Sequence, residues 1–354
     1  MINFQGSSAD NVWRQAMQQM RPSGSSYFQE SRDQPTRELL HASFTITDPR
    51  QRIVFGRPIN PAFAIAEVIW ILSGANDTGY LQFWNPRMKQ FVDEDKLRFH
   101  GAYGYRLGSQ PKLSEAANRE LRHETHPGKS RVDQVRTAYE VLRHTPNSRQ
   151  VVLQIWNHEY DLPDPEPRSK DVPCNIMSHL MIRGEKLEWL QVMRSNDLIW
   201  GTPYNFIQFT TLQEIMAGWL GIEVGTYNHI SDSLHVYERH WEVLDTFEAD
   251  GVNRLPLNRA DLRIGSYEQW EEVWARLVDG AIQLTKYTEA DDLLRVAEGL
   301  LDLPPAYVEW VALLTAEALR RRGHSAAAQE TIVHAGTFWR TSWEQWAASI
   351  AVRK

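Results

Sequence analysis

The stretch from Asp171 to Asn205, DVPCNIMSHLMIRGEKLEWLQVMRSNDLIWGTPYN, constrains the fold more than any other part of the chain. NIMSHLMIR and KLEWLQVMR read as two short strands joined at Arg183, Gly184 and Glu185, and pairing them as a hairpin folds Arg194 back beside Cys174. A guanidinium then lies next to a thiol. The next run, PYNFIQFTTLQEIMAGWLG, predicts a helix with Phe209, Leu212, Met216 and Trp219 on one stripe and Gly221 as its stop.

Other elements flank this unit. A short polar helix at the N-terminus leads through a Gly/Ser-edged loop to a strand from about Leu39 to Thr47, ended by Pro49. INPAFAIAEVIWILSG predicts an apolar helix, with Pro61 near its first turn and Gly74 past its end. RVDQVRTAYEVLRHT repeats Val132, Val135, Tyr139 and Leu142 at helical spacing. RQVVLQIWN predicts a short strand buried on both faces, Pro163 to Asp171 a surface loop, and LPLNRADLRI a final strand. Strands in series, rather than in strict βαβ alternation, put this core in the α+β class. From Ser266 onward β-branched runs vanish and Trp, Ala, Leu, Glu and Arg dominate. The expected organisation is therefore an α+β domain over residues 1–265 and an all-α C-terminal extension of four or five helices over 266–354, acting as a structural cap.

Composition narrows the function. With 42% hydrophobic and 11% aromatic residues the chain can bury a substantial core. Its net charge is −7 with both signs scattered and no basic tract, which disfavours binding to nucleic acid but leaves room for a small anion held by a few arginines. One cysteine cannot form an intrachain disulfide, and MINFQGSSADNVWRQ has neither a basic nor an apolar leader segment. No apolar run approaches the roughly 20 residues of a membrane span. A cytoplasmic protein that is not membrane-bound is expected.

A free cysteine is usually buried and inert, and becomes a nucleophile only where positive charge favours its thiolate. Arg194 supplies that charge if the hairpin forms. Glu67 stands out separately, because AFAIAEVIWIL surrounds one carboxylate with apolar neighbours on every side of a helix. Burial of that kind raises a carboxyl pKa toward the range where it shuttles protons, although such a group can also serve a backbone network.

DVPCN, MRSND, GTPYN and SLHVY occur in the order and at about the spacing seen in the thymidylate synthase family, which includes the pyrimidine nucleotide hydroxymethylases. From about Ser31 to Ile264 the chain resembles that family. The resemblance implies a mixed sheet packed with helices and a reaction in which Cys174 attacks C6 of a pyrimidine nucleoside monophosphate. C5 then captures a one-carbon unit from 5,10-methylenetetrahydrofolate, the co-substrate, and no metal is implied. It further implies that Arg194 activates the thiol and meets the phosphate, joined there by Ser195, by Arg32 with Arg37 as a rival, and by Arg149 lent across a homodimer. Asn205 would read the base, His235 and Tyr237 would hold the sugar, and Asp197, Gly201 and Tyr204 would face the folate. Glu67 coincides with the family's proton-relay glutamate and Tyr103 with the tyrosine near the C5 proton.

Three departures bear on the product. Asn175 stands where synthases usually carry histidine, Trp84 fits the first of a tryptophan pair beside the folate while nothing aromatic fits the second, and helices replace a short closing tail. A site open to water favours a hydroxymethyl product over hydride transfer to give a methyl group. The expected activity is thus a nucleotide hydroxymethylase with dUMP favoured and dCMP or CMP as alternatives. Thymidylate synthase is the alternative enzyme, and a catalytically silent nucleotide sensor is the alternative of another kind.

Overall fold

A computed structural model describes residues 2–21, 26–30, 34–92, 98–122, 132–162, 169–247 and 255–351. Arg32 and most of the loop expected at 163–171 lie outside them. Among the described residues the strands are β1 Ile2–Gly6, β2 Tyr27–Gln29, β3 Thr36–Ile46, β4 Val151–Gln154, β5 Asn175–Arg183, β6 Lys186–Asp197 and β7 Glu223–Tyr237. They form one mixed sheet in the order β1-β3-β7-β6-β5-β4, with β2 also paired to β3. β6 and β7 run parallel at its centre, while β3 and β5 pair antiparallel outside them.

The β5–β6 hairpin turns at Gly184 and Glu185, whose positive φ values of 54° and 59° are those of a turn that matches strand twist. Arg183 pairs with Lys186, and a register shift between Asn175 and Met177 bends the strand where it leaves Cys174. The helix Gly201–Leu220 then crosses the sheet and ends at Gly221, whose φ of 66° favours glycine. It is buried almost all round rather than along one stripe. Phe206 meets Phe44 and Tyr227 edge-on on the sheet side, and Trp219 meets Tyr267 and Trp270.

Several expectations are corrected. The N-terminus opens with β1, which pairs parallel with β3, before the helix Ala9–Met20 buries Trp13 and Met17. β4 is an edge strand with one face open, since Val152 is half exposed while Val151 and Leu153 are buried. Residues 255–264 do not join the sheet; side chains satisfy their backbone instead, Gln51 bonding Asn258 and Glu214 accepting from the Leu262 amide. Val132 is exposed and precedes the helix Gln134–His144. The central strand β7 went unseen because polar groups fill its inward positions. His229 and Ser231 are fully buried there, and Asn196 of β6 donates to both.

The C-terminal part contains the helices Tyr267–Lys286, Ala290–Glu298, Pro305–Arg321, Ser325–Ile332 and Gly336–Ala351. Their tryptophans merge with the core of the preceding residues. Trp274 donates to Ser73 at 3.3 Å, Tyr307 to the Leu262 carbonyl at 2.9 Å, and the Pro305–Arg321 helix packs on the helix Pro61–Leu72. Burying each such ring stabilises the fold by about 2–3 kcal/mol, so the core is continuous across residue 265 in energy as well as in space.

Candidate active site

The hairpin brings Cys174 and Arg194 together. The Arg194 amide donates to the Cys174 carbonyl at 2.9 Å, and its guanidinium is pinned by the carbonyls of Pro173 at 2.9 Å and Val172 at 3.1 Å. Its Nη2 stands 3.9 Å from the sulfur. Burial raises the thiol pKa above its usual value, Arg194 lowers it, and the carboxylates of Asp171 and Asp197 raise it further. The net direction is upward, so Arg194 limits a rise rather than producing a thiolate at rest. Behind the thiol, Asn175 is fully buried. Gln191 donates to its Oδ1 and accepts from Ser178 and Trp189, while Asn175 Nδ2 has no partner.

Glu67 reaches the same place from the Pro61–Leu72 helix, which starts at the Asn60 cap and Pro61. Burial pushes its pKa up to about 8, a hydrogen bond from Gln208 opposes that rise, and Oε2 has no partner. Tyr103, in the short helix Tyr103–Arg106, lies within electrostatic reach of both Cys174 and Glu67, and burial holds its phenol well above the usual range. Its ring packs on Phe209 with centroids 6.1 Å apart. Cys174, Glu67, Tyr103 and Tyr204 are surrounded deeply by protein yet remain partly accessible. Groups that are both deep and wetted line a cleft.

The first turn of the Gly201–Leu220 helix forms another wall. Asp197 Oδ1 accepts from the amides of Ile199 at 2.7 Å and Trp200 at 3.1 Å, which turns the chain from β6 into that helix. Asn205 is buried, donates to Gln208 and leaves Oδ1 unpartnered. Tyr204 accepts from the Asn60 amide at 3.1 Å and meets Phe63 edge-on, and burial pushes its phenol up to about 12. Sheet register sets Ser195 opposite Ser233 and Asp197 opposite His235. His235 packs edge-on against Tyr237 with centroids 4.9 Å apart. Burial lowers the His235 pKa and Asp197 works the other way, with the net direction downward.

Arg149 precedes the edge strand β4 and is exposed, its carbonyl bonded to His179, and Arg37 packs over Trp241 at 4.5 Å. A cluster that sequence reading missed sits by the Gly201 turn. Arg57 and Arg87 each lie over the Trp200 ring, at 4.3 and 4.5 Å, and its indole N–H donates to His240 at 2.7 Å. Trp84 itself is fully buried, and its carbonyl accepts from Asn60 at 3.3 Å and from Arg321 of the C-terminal part.

The profile of the thymidylate synthase family matches residues 15–294, most of the chain. The chain belongs to the thymidylate synthase family. Among curated members, a deoxyuridylate hydroxymethyltransferase of Bacillus phage SP01 is 41% identical over 204 residues, covering 57% of this chain and 50% of that protein. A deoxyuridylate hydroxymethyltransferase of Pseudomonas phage M6 is 34% identical over 194 residues, 54% of this chain and 49% of that one. Thymidylate synthase 1 of Bacillus subtilis is 32% identical over 179 residues, 50% and 57% of the two. The chain spans about half the length of the curated hydroxymethyltransferases it matches. The family match ends within the Ala290–Glu298 helix, so the helices from Pro305 onward lie beyond it. Among the described residues no group of three or more His, Cys, Asp or Glu gathers as a metal site would, and no helix is long and apolar enough to cross a membrane.

Proposed function

We propose that the protein is a folate-dependent nucleotide hydroxymethylase that converts dUMP to its 5-hydroxymethyl derivative. What carries the reading is that relatives described as deoxyuridylate hydroxymethyltransferases align with a chain whose cleft combines Cys174, Tyr103, Glu67 and Asn205. Bound 5,10-methylenetetrahydrofolate supplies a carbon at the oxidation level of formaldehyde. Tyr204, Asp197 and the side-chain-free Gly201 fit one face of it, and the Arg57–Trp200–Arg87 stack offers a cationic aromatic rim for a carboxylate-bearing heterocycle.

Cys174 bonds to C6 of the pyrimidine, and the electron pair of the C5–C6 bond moves to C5, which takes the one-carbon unit. Arg194 and Ser195 hold the phosphate, with Arg32 from the loop outside the described residues, and His235 and Tyr237 hold the sugar. Tyr103 stands by the C5 proton, and Glu67 moves a proton through its unpartnered Oε2. Loss of the C5 proton would break the bond from the transferred carbon to folate, release tetrahydrofolate and leave an exocyclic methylene on C5; water adds its oxygen there and gives up a proton, and the electron pair that this addition moves onto the ring re-forms the C5–C6 double bond as Cys174 leaves as thiolate. After Trp84 nothing aromatic fits a second wall position that would exclude water, and Arg87 in that stretch is exposed, which favours that outcome over hydride transfer. Incubation with methylenetetrahydrofolate and dUMP, dCMP or CMP, with products identified by mass, is expected to give 5-hydroxymethyl-dUMP. Formation of dTMP with dihydrofolate would sink the hydroxymethylase reading.

We also infer a cytoplasmic homodimer. The sheet face away from the Gly201–Leu220 helix carries Met177, Met181, Leu190, Val192 and Ile230, all half-buried, with Leu40 exposed beside them. An apolar sheet face of this kind calls for a partner. Arg149 at the edge is free to reach the neighbour's phosphate.

A further inference from the structure

We propose that Gln208 locks the Asn205 amide in the orientation that reads uracil, making it a positioning residue for base choice. The inference rests on the nucleotide reading above and concerns a residue that the motif resemblance does not assign. Gln208 lies three residues after Asn205 in the same helix, and both are nearly inaccessible. Asn205 Nδ2 donates to Gln208 Oε1 at 3.1 Å, and the Gln208 side chain also hydrogen-bonds Glu67 on the facing helix.

The direction of this chain follows from what each group can do. A Glu67 carboxylate can only accept, and a neutral Glu67 that reserves its proton for the substrate accepts through its other oxygen. Gln208 therefore turns its N–H toward Glu67 and its Oε1 toward Asn205. Asn205 must answer with an N–H, which leaves its Oδ1 free, as observed. Gly201 keeps space there: a Cβ at that position would come within 3.5 Å of this oxygen and 2.8 Å of Asn196 Oδ1.

A free acceptor next to a second N–H matches uracil, whose N3 donates and whose O4 accepts. Cytosine reverses both roles. Turning Asn205 over for cytosine would set its Oδ1 against Gln208 Oε1, two acceptors without a proton in a buried place. Gln208 cannot turn with it without facing its own oxygen to Glu67. The lock passes from the proton-moving group to the base reader through one side chain.

The test is to measure dissociation constants for dUMP and dCMP with the full chain and with Gln208→Met, Gln208→Asn and Gln208→Glu. The wild type is expected to prefer dUMP. Gln208→Met, and Gln208→Asn, which is too short to span both partners, should each lower that preference about tenfold. Gln208→Glu keeps an acceptor toward Asn205 Nδ2 and should retain it. Should the methionine variant not fold, the asparagine variant decides. A folded variant lacking the bridge that keeps the wild-type dUMP/dCMP ratio overturns the proposal, as does a Gln208→Glu that loses as much as the others. A wild type preferring dCMP overturns the lock and leaves the nucleotide reading standing, whereas one that binds neither nucleotide overturns that reading itself.

Discussion

Burial and the carboxylates of Asp171 and Asp197 all push the Cys174 thiol toward its protonated form, and Arg194 opposes them from 3.9 Å. A thiol in that balance reacts slowly as free protein and gains reactivity with rising pH. The sign is clear: a raised pKa means that the thiolate fraction is still growing above the ordinary thiol range of about 8.5. Alkylation of Cys174 by iodoacetamide, the chain's single thiol, is expected to accelerate through and beyond that range. Arg194→Leu removes the one opposing charge and should move the inflection higher still. A rate that levels off below pH 8 in the wild type contradicts this account. Glu67 is the complementary case, since burial holds it up to about 8 and it keeps a proton to give at neutral pH.

Elements were legible in proportion to how plainly their burial follows a period. β6 alternates buried and partly buried residues, and the Pro61–Leu72 helix is apolar all round except at Glu67, so the meeting of Cys174 and Arg194 and the depth of Glu67 could be read in advance. β7 could not, because Tyr227, His229 and Ser231 satisfy one another and Asn196 inside the core, and buried polar side chains erase the alternation. Trp200, Arg57 and Arg87 come from three separate segments, and no local pattern announces such a stack. Nor did sequence reveal that the C-terminal helices touch the cleft wall. Arg321 donates to the Trp84 carbonyl, which Asn60 also bonds, and Asn60 in turn bonds Tyr204. Arg321→Ala should thus loosen the folate side of the cleft and leave the nucleotide side intact. The expected outcome is a KM for methylenetetrahydrofolate raised about five- to tenfold, with dUMP affinity within about twofold of wild type. Equal losses on both sides would show general destabilisation instead.

At the scale of the whole molecule, one face of the sheet is roofed by helices and the other is left half covered. Strands that bury Trp189 and Tyr227 inward present Leu190, Val192 and Ile230 outward, which a second copy would cover by two-fold symmetry. Arg149 is exposed just before the edge strand β4, so in the proposed dimer it would meet the neighbour's phosphate rather than its own. Hybrid dimers separate these cases. A Cys174→Ser chain keeps Arg149 but lacks the nucleophile, while an Arg149→Ala chain keeps the nucleophile but receives no arginine from its like partner. Each homodimer should be inactive or strongly weakened. Mixing them under conditions that exchange subunits restores one complete site in each hybrid, so activity should recover to about a quarter of the wild-type level at equal proportions. If Arg149 acted within its own chain, no mixture could recover anything, since neither chain would hold a complete set.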